Sequence, residues 1–82
     1  MKDIALLVNS DDMISMAKDA AKHAGAEDEI EVILTHTYEE SLDIARKCES
    51  EGARIMIARG GHARFLREAG IGIPVTMIPF TG

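Results

Sequence analysis

Arg59-Gly60-Gly61-His62 brings a permanent cation, a glycine pair and a titratable ring into four consecutive positions. The apolar run Ile55-Met56-Ile57-Ala58 breaks at Arg59, and spacing that fits only a helix begins almost at once. The stretch reads as a strand, a tight turn and a helix. The first N–H groups of a helix lack intrahelical partners and carry the positive end of its dipole, so such a turn offers backbone donors to an anion. Arg59 would add a guanidinium and His62 an imidazole to the same carboxylate or phosphate. The glycines would serve by taking a positive φ or by letting the backbone pass close to another group.

Plainer readings stand beside these. Gly60-Gly61 also serves as a simple strand-to-helix turn, and it is neither the three-glycine dinucleotide fingerprint nor the lysine-bearing nucleotide loop. Arg59 fits a ligand contact and a structural salt bridge equally well. A helix N-terminus lowers the pKa of His62 and favours its neutral ring. Asn9, Ser10 and Asp11 are cap-type residues whatever else they do. His23, His36 and His62 are scattered, so no metal site is expected. Cys48 sits in a helix interior facing the predicted core, and Met13 and Met16 also read as core.

These residues need elements to hold them. Ile4-Ala5-Leu6-Leu7-Val8 is a continuous apolar run, as expected of a central strand covered on both faces. Met13, Met16, Ala17, Ala20, Ala21 and Ala24 then recur at helical spacing up to Gly25. Ile30 to Leu34 reads as a second strand, and its Glu31 suits an edge. Thr37-Tyr38-Glu39-Glu40 fits a capping box, with Glu40 reaching back to the cap N–H, and opens a helix through Leu42, Ala45 and Cys48 that Gly52 ends. Ala53 to Ala58 is the third strand, Gly61 to Ala69 the third helix, and Ile73 to Ile78 a short final strand with Pro74 among its first residues.

The order β-α-β-α-β-α-β with short links predicts an α/β fold, a four-stranded parallel sheet layered between helices as α/β/α. Ligands of such sheets bind beyond the carboxyl ends of the strands, where strand order reverses. Four segments gather there: Asn9-Ser10-Asp11, Thr35-His36-Thr37, Arg59-Gly60-Gly61-His62 and Pro79-Phe80-Thr81. With the order 2-1-3-4, Asn9 and Ser10 meet Arg59, Gly60, Gly61 and His62. Those six are the expected ligand-binding residues.

The 82 residues make one domain, and a chain this short buries about 60 to 65 per cent of its unfolded surface. Hydrophobic residues reach 46% but aromatics only 4%, which leaves the core to aliphatics, alanine and methionine. Nine Lys and Arg against fourteen Asp and Glu give a net charge of −5 with no basic stripe, so direct nucleic-acid contact is not expected. One cysteine, no signal-peptide layout and no membrane-length apolar run place the chain in the cytoplasm, away from the membrane.

The segment Ile57-Ala58-Arg59-Gly60-Gly61-His62-Ala63 through Leu66-Arg67, followed by Ile73-Pro74-Val75, resembles the N-terminal sensor domain of propionate catabolism activators (PrpR-type), bacterial regulators that work with sigma-54 RNA polymerase. The family pattern there runs Ser-Arg-Gly-Gly-Thr-Ala, a leucine, an arginine or lysine, and Ile-Pro-Val before the last strand. Arg59, Gly60 and Gly61 match its turn. Ala58 and His62 depart from it, standing where the family has Ser and Thr. The resemblance implies a two-lobed sensor, each lobe with strand order 2-1-3-4, holding a small di- or tricarboxylate between the lobes and acting on an adjoining ATPase domain. The chain then corresponds to the first lobe only, as a fragment or a single-lobe relative, and its uncovered apolar surface predicts a homo-oligomer.

Three functions follow: a non-catalytic, cofactor-free sensor of a small organic acid; an assembly or dimerisation module without a ligand; and a small enzyme using Arg59 and His62.

Overall fold

The computed structural model describes residues 2–78, with the side chain of Ile78 outside the description. The expected segment at Pro79-Phe80-Thr81 lies outside the described residues. The elements are β1 (Ile4–Val8), α1 (Asp11–His23), β2 (Ile30–Leu34), α2 (Tyr38–Ser50), β3 (Ile55–Arg59), α3 (Gly60–Ala69) and β4 (Val75–Ile78). All pairings are parallel and the strand order is β2-β1-β3-β4, as expected.

That order fixes the layers. The chain steps from β1 to β2 in one direction and from β2 back past β1 to β3 in the other, and right-handed crossovers in opposite directions put their helices on opposite faces. Ala5 and Leu7 of β1, Met56 and Ala58 of β3 and Val75 of β4 pack with Ala45 and Cys48 of α2 and Ala63 and Leu66 of α3 in one buried cluster. The alternate residues Leu6 and Val8 are also buried and turn to the other face, beneath α1. β1 is thus covered on both sides, which is why its apolar run is unbroken.

Local chemistry explains the element boundaries. Ser10 caps α1, its side chain accepting from the Met13 N–H at 3.3 Å, and Thr37 caps α2 by accepting from the Glu40 N–H at 3.0 Å. Glu40 does reach back, but its carboxylate accepts from the N–H of His36, one residue before the cap, at 3.2 Å rather than from Thr37. The last helix closes on Gly70 in the left-handed region, φ 76°, a conformation that costs glycine nothing. Three boundaries differ from expectation. β3 begins at Ile55 rather than Ala53 and runs through Arg59, α3 begins at Gly60, and β4 begins at Val75, one residue after Pro74.

Met16 corrects the reading of α1. It is 60% exposed and Met13 is half-buried, and Ala21 is the helix's buried residue. α1 covers the β1–β2 half of its face of the sheet, so its apolar stripe is broader than the surface it packs on. For the same reason Ile55, at the start of β3 on that face, is 38% exposed.

Candidate functional site

β1 and β3 are neighbours, and their carboxyl ends open side by side where the strand order reverses. A narrow cleft there is lined by Leu7, Val8, Asn9, Thr35, Arg59 and His62, and it is too tight to admit a water-sized sphere. Asn9, Arg59 and His62 therefore share one cleft. Ser10 is occupied as the cap of α1 and does not line it. Gly60 and Gly61 form the first turn of α3 and line an adjoining open groove with Ala63, Arg64, Arg67 and Met77.

Neither residue of the glycine pair has positive φ, and each lies close to the tip of a side chain from another element. A Cβ on Gly61 would lie 2.5 Å from the Tyr38 hydroxyl, and one on Gly60 would lie 3.2 Å from the Met77 sulfur. Tyr38 stacks on Phe65 at 5.2 Å between centroids and meets His62 edge-on at 4.7 Å. The ring thus runs along α3 from its second turn to its opening. Unlike α1 and α2, α3 has no side-chain cap: Arg59 occupies that position, and its side chain makes no such bond. The Arg59 guanidinium reaches instead across the sheet end to α1, with Nη1 3.8 Å from the Met13 sulfur.

His62 is held by the Ser41 hydroxyl, which is itself held by that of Thr35. The Ser41 hydroxyl donates to Thr35 Oγ1 at 2.8 Å, and Ser41 Oγ lies 2.6 Å from His62 Nδ1. With its single hydrogen directed to Thr35, Ser41 accepts from Nδ1–H, which leaves the lone pair of the neutral ring on Nε2. Burial, and then the charge of Arg59, hold the His62 pKa below its ordinary value of 6.5. The direction agrees with the sequence reading, but the causes are burial and a neighbouring cation.

Ser41 and Thr35 were not among the expected site residues, although both are buried. One signal for Ser41 was present: it lies on the Ser41-Ala45-Cys48 stripe of α2, and a hydroxyl on an apolar stripe calls for a buried partner. Tyr38 carried no comparable signal, because its proximity to Gly61 arises only when α2 and α3 pack together.

Cys48 is 1% exposed, and burial followed by Glu51 and Glu31 pushes its thiol pKa up, away from nucleophilic behaviour. Among the described residues no group of three or more His, Cys, Asp or Glu side chains is placed to hold a metal ion.

The family model for the propionate catabolism activator matches residues 24–82, well over half of the chain. The chain belongs to this family. The match begins at the end of α1 and takes in β2, α2, β3, the Arg59-Gly60-Gly61 turn, α3 and β4. The family supplies the regulatory sensor domain of a transcriptional activator. No curated protein and no solved structure matches the chain. Among the described residues no helix is long and apolar enough to cross a membrane.

Proposed function

We propose that this chain is a non-catalytic sensor lobe that binds a small organic polyanion, a di- or tricarboxylate, over the carboxyl ends of β1 and β3. The observation that carries the reading is the convergence of Asn9, Arg59 and His62 on one cleft at the point where the sheet order reverses. The cleft is too narrow to enclose a ligand, so one carboxylate sits at its mouth. Arg59 supplies the permanent charge, the first N–H groups of α3 at Gly60 and Gly61 supply backbone donors, and Asn9 supplies a side-chain amide. Membership of a regulator family supports a signalling role.

The enzyme alternative draws on the 2.6 Å contact between Ser41 and His62, the spacing of a nucleophile and its base. Ser41, however, is fully buried and its hydrogen is directed to Thr35, so its oxygen does not reach a substrate. The contact is better read as a support for the His62 ring.

The test is thermal stability of the chain in citrate, methylcitrate and phosphate against a chloride control of equal ionic strength, with Arg59→Ala alongside. A ligand that binds only the folded state at about a hundred times its Kd adds about 2.7 kcal/mol of stability. A saturable rise in Tm that Arg59→Ala removes is the expected result. Equal melting in every salt, or a rise that survives Arg59→Ala, refutes the proposed site.

A further inference from the structure

The geometry points to a second copy of this chain as the partner of the outer edge of β2, paired antiparallel about Val32 so that two four-stranded sheets become continuous. This goes beyond the ligand reading and does not depend on it.

The two edges of the sheet are finished differently. At β4, the Met56 N–H donates to the Pro74 carbonyl at 2.9 Å and Met56 pairs with Val75, so Pro74 and Thr76 face β3 while Val75 and Met77 face outward. The outward Val75 carbonyl is already taken by Arg67 of α3, through Nε at 3.0 Å and Nη2 at 2.7 Å. A guanidinium thus obstructs strand addition at this edge.

At β2 nothing comparable stands in the way. The Ile4 N–H donates to the Glu29 carbonyl at 3.0 Å, the Thr35 N–H donates to the Val8 carbonyl at 2.8 Å, and the register between them runs unbroken from Ile30 to Leu34. Alternation along a parallel ladder then turns Glu29, Glu31, Ile33 and Thr35 toward β1 and Ile30, Val32 and Leu34 outward. The Ile30 N–H is satisfied within the chain by the Ala26 carbonyl at 3.2 Å. The Val32 N–H and carbonyl, the Leu34 N–H and the Ile30 carbonyl point outward without a partner among the described residues. The strand contains no proline, lysine or bulge, and each of its five residues is half-buried.

These open groups complement themselves. In an antiparallel pair centred on Val32, Val32 exchanges both bonds with Val32 of the second copy, and each Leu34 N–H meets the Ile30 carbonyl opposite. The reciprocal bond of that pair, from the Ile30 N–H to the Leu34 carbonyl, does not form because Ala26 already holds this N–H, which leaves the Leu34 carbonyl to solvent. Charge selects the same direction. Glu31 lies opposite Ile33 of the second copy, whereas parallel pairing in register would set Glu31 beside Glu31. The acidic starts at Glu27-Asp28-Glu29 fall at opposite ends of the pair, about 20 Å apart at their nearest for six rises along the strand, beyond the roughly 8 Å screening length of physiological salt. The residual opposition is the net −5 on each copy, so association tightens as salt rises.

The test is sedimentation equilibrium of the full chain over a concentration series at low and high salt, beside Val32→Pro. The Val32 N–H takes no part in bonding to β1, so proline at this edge position removes the intermolecular donor and leaves the internal sheet; circular dichroism checks that it does. The expected result is a dimer favoured by salt and a folded, monomeric Val32→Pro. Amide exchange on the natural chain serves if that variant unfolds: protection at Val32 and Leu34 must rise with protein concentration while that at Met77 does not. A natural chain that stays monomeric throughout, a dimer that persists in folded Val32→Pro, or concentration-dependent protection at Met77 instead of Val32 overturns the proposal.

Discussion

An imidazole that gives its Nδ1 hydrogen to a buried serine, and whose neighbours include a guanidinium, takes up a second proton only by placing another positive charge in a partly buried site. The folded-state pKa of His62 therefore lies below 6.5, and between that value and 6.5 the unfolded chain binds more protons than the folded one. Stability rises with pH through this window. His62's contribution is complete above 6.5 and is lost as pH falls through the depressed value. Urea denaturation from pH 8 to pH 5 is expected to show this acid loss in the natural chain and less of it in His62→Gln; parallel pH profiles would refute the assignment. The sequence disclosed that His62 begins a helix. It did not disclose the Ser41 and Thr35 hydroxyls, which lie six residues apart and come together only when α2 packs over the end of β2.

Among elements, the contact between α2 and α3 bears on why position 61 is glycine. Alanine would normally favour a helix by about 0.5 to 1 kcal/mol over glycine. Here its Cβ would strike the Tyr38 hydroxyl, which stacking on Phe65 and the edge contact with His62 hold in place. Gly61→Ala is expected to lower stability by about 1 kcal/mol, within the range for overpacking. In a Tyr38→Phe background, which lacks the hydroxyl, the same change should be neutral or favourable; chemical denaturation of the four proteins closes the cycle. Equal effects in both backgrounds would show that Tyr38 does not set the requirement. The elements themselves were legible because apolar runs, cap residues and glycine stops coincide at each boundary. The close approach at Gly61 was legible only as one of two alternatives, since a glycine codon of the fold looks the same whether it answers a dihedral angle or a neighbour. Met16 departs from the expected core because helical spacing marks an apolar face but not how much sheet lies beneath it.

For the molecule as a whole, the order β2-β1-β3-β4 gathers the candidate ligand residues at one end of the sheet and leaves the outer edge of β2 at its side. The proposed anion site and the proposed pairing edge thus lie on separate surfaces, so neither test prejudges the other. The parallel sheet was readable from the alternation of strands and helices, because crossover handedness leaves few arrangements open, while the order 2-1-3-4, and with it the convergence of Asn9 and Arg59, was implied by the family resemblance. The difference between the two edges was not readable, since it rests on Arg67 reaching a carbonyl eight residues further along the chain.

Cys48 gives the molecule a clock. It is the chain's single cysteine and lies sealed between α2 and the sheet, so a thiol reagent can reach it only when the core opens. In mild denaturant the rate of alkylation should follow the population of that opened state, and a metabolite that binds the closed form should slow it in proportion to its occupancy. Labelling at the speed of a free thiol in water would mean that the α2 packing is far looser than its burial indicates. One reaction, followed by mass, would then report ligand binding without any probe being attached beforehand.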